Sequence, residues 1–513
     1  MRRKFLSVGI MLAGVLLLMT SCGSSLFTNT PTTATKGALF TLMTDTPSCD
    51  VLGFRAEISS LSLIRQGSTS TTAVFPPSVT VNPNFVSPQI EVTRLRDFSK
   101  ILNLERIPAG TYTQAIVDLV MTYAAIYDPT KNPPVANFQP SATTSTLKVN
   151  INPPLVITSG SVSAIQLDLN LEKSLATSAQ GQLAGTFNPA ITVTPIAASS
   201  ASGFGDLDDI DGFVESVTPV IATPGSSFTG AFLLQTLPPD GPSISVNITA
   251  STKLFGLPGP QPGFDSSGSP LNLLATPSFV ELDGSIDSQG NLVANSVQVE
   301  AQENVSTNTV AYLGPVLTVT RDVSGQVTQF TMLIRETQPD VSASILPQTP
   351  GTVTVSSSTA FQLASPLSNF AGLPFGASSV APGQEVAVSG TFTPNSSTQV
   401  SAHQAVPVTA DSVYLRLQTA QGNFTQLLQA GSDDKTGAFQ LAICSGVFQA
   451  APVIVITNAQ TNYVNVGGLT ELTPEPELLV KGLAFFEPQS TTINTVLIPA
   501  RTLVILAKQV HAL

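Results

Sequence analysis

The feature that most constrains the fold is an alternation of apolar and polar residues with a period of two. In the segment Ile165-Gln166-Leu167-Asp168-Leu169-Asn170-Leu171-Glu172 every second residue is apolar. Successive side chains of a β-strand point to opposite faces, so this segment predicts a strand with one buried and one exposed face. Phe54, Ala56 and Ile58 alternate with polar residues in the same manner. Apart from a short turn around residues 97–102, no helical period is sustained, and the chain is predicted to be all-β.

The composition excludes two broad classes of protein. Only 11% of the residues are charged, 42% are hydrophobic, and the formal net charge is -12. A disordered chain would have low hydrophobicity, and a nucleic-acid-binding protein would carry a basic face. The length of 513 residues is enough for about three or four domains. Two His, three Cys and no Trp leave few side chains for catalysis.

The N-terminus has the layout of a secretion signal. Cationic residues 2–4 precede an apolar run over residues 5–18, which is shorter than the roughly 20 residues of a spanning helix. The following tetrapeptide, Met19-Thr20-Ser21-Cys22, resembles a bacterial lipobox. The resemblance implies cleavage after residue 21, acylation of Cys22, and, because Gly23 is not Asp, an outer-membrane location. The alternative is an ordinary signal peptide with an incidental cysteine.

Loss of this signal would make the mature protein more acidic. Residues 1–21 contain three cations and no acid, so their removal changes the net charge from -12 to -15. Anionic lipid headgroups do not attract such a chain. We therefore expect two or three acyl chains at Cys22 to attach it to the membrane.

Two further cysteines, Cys49 and Cys444, allow two interpretations. An oxidising envelope would permit a disulfide between them. They fall in different predicted domains, so two separate thiols are the alternative. Neither cysteine lies in a Cys-x-x-Cys pair, so no zinc or redox site is expected.

Residues 37–197, which follow a Thr-rich stalk at residues 22–36, resemble the bacterial domain of unknown function DUF4382. The resemblance rests on Leu42-Met43-Thr44-Asp45-Thr46-Pro47 and on the turn Ile107-Pro108-Ala109-Gly110-Thr111-Tyr112. It implies an envelope β-sandwich with no established activity. Asp45 has two interpretations, a side chain that caps the turn before Pro47 or a ligand for a cation or a sugar.

The rest of the chain divides into three related segments, residues 212–304, 305–410 and 411–513, after an acidic linker at residues 198–211. Each segment contains a threonine after a strand, then a variable loop, then a strand centred on a glycine. The threonines are Thr252, Thr359 and Thr461, and the glycines are Gly284, Gly390 and Gly482. The glycines are 106 and 92 residues apart. Units of this length indicate domain duplication, since solenoid repeats are about 20 to 50 residues long.

The first of these segments fits best to a second bacterial family, DUF5666. The resemblance rests on Gly212-Phe213-Val214-Glu215-Ser216-Val217, on Phe228-Thr229 and on the later Val-x-Gly and Ala-x-x-Val patterns. It implies a five- or six-stranded barrel of broadly OB-like shape in each repeat, without assigned chemistry. Glycine suits a strand that bends at a barrel corner. OB-like barrels can bind single-stranded nucleic acid in basic grooves, but the acidity of this chain argues against that partner.

The acidic residues before Gly212 are weak candidates for a metal site. Clustered carboxylates suit a hard cation, but position six of an EF-hand register counted from the first aspartate is not glycine and position twelve is not glutamate. We expect a solvated linker, with weak divalent-cation binding as the alternative. The candidates are Asp206, Asp208, Asp209 and Asp211. No cofactor is expected.

No catalytic motif is present. There is no Gly-x-Ser-x-Gly elbow, no phosphate-binding Gly-x-x-x-x-Gly-Lys and no His-Glu-x-x-His. His403 lies in an apolar strand pattern, and His511 is predicted to fray near the end of the chain. Long loops at residues 255–277, 363–384 and 464–477 are either tolerated insertions or binding loops.

The sequence therefore predicts a lipid-anchored envelope protein with a β-sandwich and three barrel-like domains. We expect a structural, adhesive or ligand-presenting role without catalysis, with a polysaccharide or an envelope protein as partner. The alternative is a hydrolase that cleaves envelope or extracellular polysaccharide with two carboxylates.

Overall fold

The protein is described by a computed structural model that covers most of the chain. The described residues are 35–46, 48–49, 51–75, 89–96, 99–138, 144–177, 183–198, 203–204, 206–219, 228–236, 243–255, 271, 274–300, 309–338, 348–363, 375–392, 405–448, 453–472 and 477–513. Over these residues the structure is almost entirely β, which confirms the predicted fold class. Among them, no helix combines the length and apolar character needed to cross a membrane.

The N-terminal module comprises twelve of the described strands and one short helix, α1 (Leu171–Ser174). The strands are β1 (Lys36–Thr46), β2 (Val51–Arg65), β3 (Thr71–Phe75), β4 (Gln89–Glu91), β5 (Lys100–Pro108), β6 (Gly110–Tyr127), β7 (Val135–Phe138), β8 (Thr144–Ile157), β9 (Val162–Asn170), β10 (Leu175–Thr177), β11 (Leu183–Phe187) and β12 (Ile191–Ile196). Within the described chain, ten of them form one sheet whose main path is β3-β2-β6-β8-β12-β9-β1-β5, while β10 and β11 pair separately. Both halves of the sheet contribute to one core, with Leu39 and Ile165 from one half and Phe54 and Val117 from the other. The two halves therefore face each other.

The Pro-Ala-Gly-x-Tyr turn has a structural explanation. Tyr112 is fully buried, and its hydroxyl donates a hydrogen bond to the carbonyl oxygen of Pro108 at 2.8 Å. A tyrosine that bonds back to the backbone a few residues upstream also fixes chain corners in β-sandwiches of the immunoglobulin type. The motif therefore stabilises the connection between β5 and β6.

The first barrel follows the N-terminal module. Its strands are β13 (Asp206–Pro219), β14 (Phe228–Thr236), β15 (Ser243–Thr249), β16 (Lys253–Phe255), β17 (Phe279–Ile286) and β18 (Leu292–Val299). Strand β13 begins at Asp206, so the last six residues of the segment predicted as a linker belong to a strand.

The second and third barrels complete the chain. Barrel 2 contains β19 (Thr309–Arg321), β20 (Val327–Ile334), β21 (Glu336–Thr337), β22 (Thr349–Thr354), β23 (Ala360–Leu363), β24 (Glu385–Phe392) and β25 (Val406–Leu415). Barrel 3 contains β26 (Leu417–Ala430), β27 (Gly437–Ile443), β28 (Val453–Thr457), β29 (Asn462–Val464), β30 (Glu477–Glu487), β31 (Thr491–Ile493), β32 (Val496–Ile498) and β33 (Thr502–Ala512). The expected boundary at residue 410 falls inside β25, which continues to Leu415.

All three barrels have the same strand order. The five main strands of each, taken from the described chain, close in the orders β13-β14-β15-β18-β17, β19-β20-β22-β25-β24 and β26-β27-β28-β33-β30. The third and fifth main strands pair in parallel in every case. A short strand, β16, β23 or β29, also pairs in parallel with the fifth main strand. The repeat inferred from sequence thus corresponds to a repeated topology.

The repeated threonines make the same contact in each barrel. Their hydroxyls donate to a carbonyl oxygen of the fifth main strand, in the pairs Thr252 to Ala294 (2.6 Å), Thr359 to Ala410 (2.8 Å) and Thr461 to Ala507 (2.9 Å). Each hydroxyl also accepts from a backbone N–H three residues earlier in the chain. This contact fixes the start of the short strand against the fifth strand.

The repeated glycines lie at irregularities in the pairing of the fourth and fifth main strands. The register shifts at Gly284, Gly390 and Gly482. A Cβ atom on these glycines would lie 2.5, 2.1 or 2.2 Å from a carbonyl oxygen of the fifth strand. The backbones approach too closely for any side chain, which is the physical reason for glycine at these positions.

Apolar clusters connect the modules. One contains Phe40 and Leu42 of β1 together with the barrel 1 core, and another runs from barrel 2 into barrel 3. A third joins Leu52 of the N-terminal module, Leu333 of barrel 2 and Val447 of barrel 3. The N-terminal module therefore packs against all three barrels.

Candidate functional site

The strongest candidate site is a cavity at the point where the four modules meet, which we call the junction cavity. Its volume is about 100 Å³. Its lining includes Arg94 and Arg96 of the N-terminal module, Glu281 and Gln298 of barrel 1, Arg335 and Glu385 of barrel 2, Arg416 between barrels 2 and 3, and Gln421 and Phe448 of barrel 3. Because all four modules contribute, the cavity exists only in the assembled chain.

Barrel 1 forms its side of the cavity with the outer faces of three neighbouring strands. Phe255 of β16 pairs with Gln298 of β18, which pairs with Glu281 of β17. Leu282, which follows Glu281 on β17, and Val297, which precedes Gln298 on β18, point into the barrel core. Strand alternation therefore directs the polar side chains outward to the cavity.

Barrel 2 and barrel 3 are connected at the cavity by Gln418. Its side-chain oxygen accepts from the Glu385 N–H at 2.7 Å, and its side-chain nitrogen donates to the Gly383 carbonyl oxygen at 2.9 Å. The carbonyl oxygen of Glu385 in turn accepts a hydrogen bond from the backbone N–H of Arg416 at 2.9 Å. These bonds fix the start of barrel 3 against barrel 2.

Arg416 is the centre of a buried ion network. It contacts Glu281, and its second terminal nitrogen lies 2.5 Å from Glu300. Burial disfavours the charged guanidinium, but Glu281 and Glu300 outweigh this effect and raise the pKa of Arg416. The residue is therefore a cation, and it connects barrel 1 to the segment between barrels 2 and 3.

Arg94 extends the network to the N-terminal module. It pairs with Glu336 and lies 4.0 Å from Glu281. Burial favours the neutral form of Glu336, but Arg94, followed by Lys100, outweighs burial and lowers the pKa of this carboxyl. Arg335 forms a separate pair with Glu385 at 2.9 Å and donates to the Leu52 carbonyl oxygen. Ionic contacts therefore join the N-terminal module to barrels 1 and 2.

Glu91 and Gln348 form a second contact between the N-terminal module and barrel 2. One oxygen of Glu91 accepts from the Phe54 N–H at 2.8 Å, and the other accepts from the Gln348 amide. Gly53 lies beneath this amide, and a Cβ there would be 1.9 Å from the Gln348 oxygen. Glycine at this position therefore lets Gln348 approach the sheet.

Asp45 does not cap a turn, contrary to the first expectation from sequence. It lies in β1, is 4% exposed, and neither carboxylate oxygen has a hydrogen-bond partner among the described atoms. Burial raises the pKa of Asp45 well above its usual value, and attraction to Arg96 opposes this only in part. Arg96 is also buried, which lowers its pKa to about 10, and it donates to the carbonyl oxygens of Ser48 and Val51.

Cys49 and Cys444 form a disulfide, with 5.4 Å between their Cα atoms. The bond joins the N-terminal module to barrel 3 across 395 residues of sequence. Cys444 also lines the junction cavity. Of the two interpretations left open by the sequence, the structure has the inter-domain bond.

The remaining predicted site residues do not assemble into a site in the described part of the chain. Cys22 lies outside the described residues, as does His403. Of the four aspartates, the side chains of three, Asp206, Asp208 and Asp209, are also outside, and Asp211 lies 3.5 Å from Lys100. No cluster of three or more His, Cys, Asp or Glu side chains suited to a metal occurs among the residues described.

Two further sequence predictions concern His511 and the long loops. His511 is not frayed, because it lies in β33 and its ring nitrogen is 3.1 Å from the side-chain nitrogen of Asn465. Most of the first loop, half of the second and part of the third fall outside the described residues.

Sequence reasoning missed the residues of the junction. Arg94, Glu281 and Arg416 are far apart in sequence, and no motif connects them. One local signal was present at Arg416, whose neighbours Leu415 and Leu417 are both apolar. A charged side chain is almost never fully buried unless it is paired, so a buried arginine at this position implies acidic partners.

Comparison with known proteins identifies one part of the chain. No curated protein matches it. Among solved structures, the chain is similar to "drosophila Unr CSD456", with 7% identity over 60% of this chain and 97% of that one and a TM-score of 0.14, which is too low to support any inference. The family model described as "Domain of unknown function (DUF4382)" matches residues 36–187. The N-terminal module thus contains a DUF4382 domain, as its motifs predicted.

Proposed function

We propose that this protein is a cell-envelope lipoprotein, anchored by acyl chains at Cys22, whose four modules form one rigid body that presents a binding surface. Its role is structural, adhesive or ligand-presenting, and it is not catalytic. The lipobox-like sequence and the short apolar run support the anchor. The resemblance to DUF5666 and the repeated barrel topology support a passive scaffold of duplicated domains.

The observation that carries this proposal is the junction itself. Buried ion pairs, a disulfide and shared apolar clusters connect the four modules. Buried ion pairs contribute little net stability, and one well-supported use for them is to fix a specific arrangement. The junction therefore serves to hold four modules in a fixed orientation.

The alternative, a polysaccharide hydrolase, has weaker support. Such an enzyme needs a carboxylate able to donate a proton and a second one facing the sugar. The acids that line the cavity already have partners: Glu281 has Arg416, Glu385 has Arg335, and Asp283 accepts from Ser296 at 3.1 Å. Their present contacts are those of a structural network.

Metabolic labelling with a clickable palmitate tests the anchor. We expect label on the wild-type protein and none on Cys22→Ala. Cys49→Ala is the matched control, because it also removes a cysteine and should keep the label. Equal labelling of wild type and Cys22→Ala would contradict the anchor and the envelope location together.

A further inference from the structure

We propose that the junction cavity binds a neutral sugar by one hydroxyl-bearing edge of a pyranose ring. This inference deepens the proposed function, since it names the class of ligand that the rigid body presents. It is carried by the hydrogen-bonding groups of the cavity, by the pairing of its arginines and by two aromatic rings.

The cavity is lined by residues with buried acceptors that the protein itself leaves without hydrogen bonds. These atoms are Oε1 of Gln298, Oε1 of Glu385 and Oε1 of Gln421, and the three residues are 9%, 6% and 8% exposed. The Gln421 amide is oriented by its nitrogen, which donates to Glu477 at 2.5 Å, so its oxygen is the acceptor that remains. Buried polar groups normally have partners. A ligand that donates several hydrogen bonds would supply them.

Three of the four arginines that line the cavity are already paired with acids. Arg416 and Arg94 are paired with acids of barrels 1 and 2, and Arg335 is paired with Glu385. An anion would find these guanidinium groups occupied, and a cation would meet several arginines. Among the described residues that line the cavity, Arg96 has a buried donor, Nε, without a hydrogen bond. A sugar hydroxyl carries no charge and both donates and accepts, so it can satisfy the acceptors and this donor together.

Two phenylalanines provide apolar surface for the carbon face of a sugar ring. Phe255 lies beside Gln298 on barrel 1, and Phe448 lies on barrel 3. The ring of Phe448 packs on Gly383, where an added Cβ would come within 2.5 Å of it. Apolar lining with a few placed polar groups is the usual composition of a small-molecule site.

The size of the cavity limits how much of a sugar can enter. A cavity of about 150 Å³ holds one benzene ring, whereas the volume of the junction cavity is about 100 Å³. It therefore admits one hydroxyl-bearing edge of a pyranose, and the rest of the sugar stays outside.

Isothermal titration calorimetry on the full-length protein, in a detergent without a sugar headgroup, tests the inference. The probes are glucose, galactose, mannose and N-acetylglucosamine, and we expect saturable binding of at least one. Gln298→Ala and Gln421→Ala should each weaken that binding about threefold to tenfold. Gln426→Ala is the matched control, because Gln426 is exposed on the same strand as Gln421 and should leave binding unchanged.

Circular dichroism of each variant confirms that the fold is retained. The inference is overturned if none of the four sugars binds, or if both cavity variants bind as wild type does. Saturable binding of calcium chloride in place of the sugars, lost in Gln298→Ala and Gln421→Ala, would also overturn it and assign the acceptors to a cation. Palmitate labelling is independent of these results, so the anchor and the cavity can fail separately.

Discussion

At the scale of single residues, Arg416 is the most connected charge of the junction. Its guanidinium bonds to Glu281 and Glu300, both on barrel 1, while its N–H bonds to Glu385 of barrel 2. A planar guanidinium can serve two carboxylates at once, which a lysine does less well. The orientation of barrel 1 relative to barrels 2 and 3 therefore depends on this residue.

We predict that Arg416→Ala lowers the free energy of unfolding by about 3–5 kcal/mol, because it leaves buried Glu300 without its cation and leaves Glu281 with Arg94 at 4.0 Å. Urea denaturation followed by circular dichroism measures this change. Arg501→Ala is the control, since Arg501 is exposed in a turn, and we expect a change within about 0.5 kcal/mol. Equal effects of the two substitutions would show that the network is not a stability determinant.

The raised pKa of Asp45 predicts a specific pH dependence of the free energy of unfolding. Because its folded pKa is raised, its contribution to stability is fully present below the unfolded pKa of about 3.9 and is lost as the pH rises through the folded pKa. Asp45→Asn removes that loss, so the variant should gain stability over wild type as the pH increases from 4 to 8. Each unit of pKa shift corresponds to about 1.4 kcal/mol.

Asp128 is the control, because its pKa is shifted in the opposite direction to that of Asp45. Hydrogen bonds from the Thr130 side chain and backbone lower the pKa of its exposed carboxyl, so its contribution is present above the unfolded pKa and is lost as the pH falls. Asp128→Asn should therefore be less stable than wild type at pH 7, with a deficit that disappears toward pH 3. Parallel pH profiles for the two variants would contradict this account.

At the scale of elements, the barrels are defined by a glycine and a threonine that recur in the same places. We predict that Gly390→Ala destabilises the protein by about 1–3 kcal/mol, because its Cβ would lie 2.1 Å from the Thr409 carbonyl oxygen. Gly376→Ala in the same barrel has open space and ordinary backbone angles, so it should be neutral or slightly stabilising. Thermal unfolding of both variants measures the difference, and a neutral Gly390→Ala would refute the close approach.

These landmarks also show how far the sequence could predict the fold. Gly284, Gly390 and Thr359 were recognisable because strand period and turn chemistry are local. The junction was not recognisable, because Glu281 and Arg416 are 135 residues apart in sequence and meet only after three modules have docked. Strand β1 illustrates the same limit, since it is buried on both faces once barrel 1 covers Phe40 and Leu42.

At the scale of the whole molecule, the first and last modules of the chain are joined to each other. The N-terminal module contacts every barrel, and the bond between Cys49 and Cys444 joins its beginning to barrel 3. A crosslink over so long a loop restricts the unfolded chain strongly. The modules therefore form one body with a cavity at its centre.

We predict that the double variant Cys49→Ala, Cys444→Ala is less stable than wild type by about 2–5 kcal/mol. Urea denaturation of both proteins without reductant measures this difference. With reductant present, wild type should approach the variant, while the variant itself should be insensitive. A variant as stable as oxidised wild type would contradict a stabilising role for the bond.

The central claim, that the four modules are docked as one body, is tested most directly by a peptide map of the native protein without reduction. Free thiols are first alkylated, and the digest is then analysed by mass spectrometry. The account predicts one linked pair of peptides, containing Cys49 and Cys444, with neither residue alkylated. Complete alkylation of both cysteines would contradict it, because the disulfide that joins the N-terminal module directly to barrel 3 would then be absent.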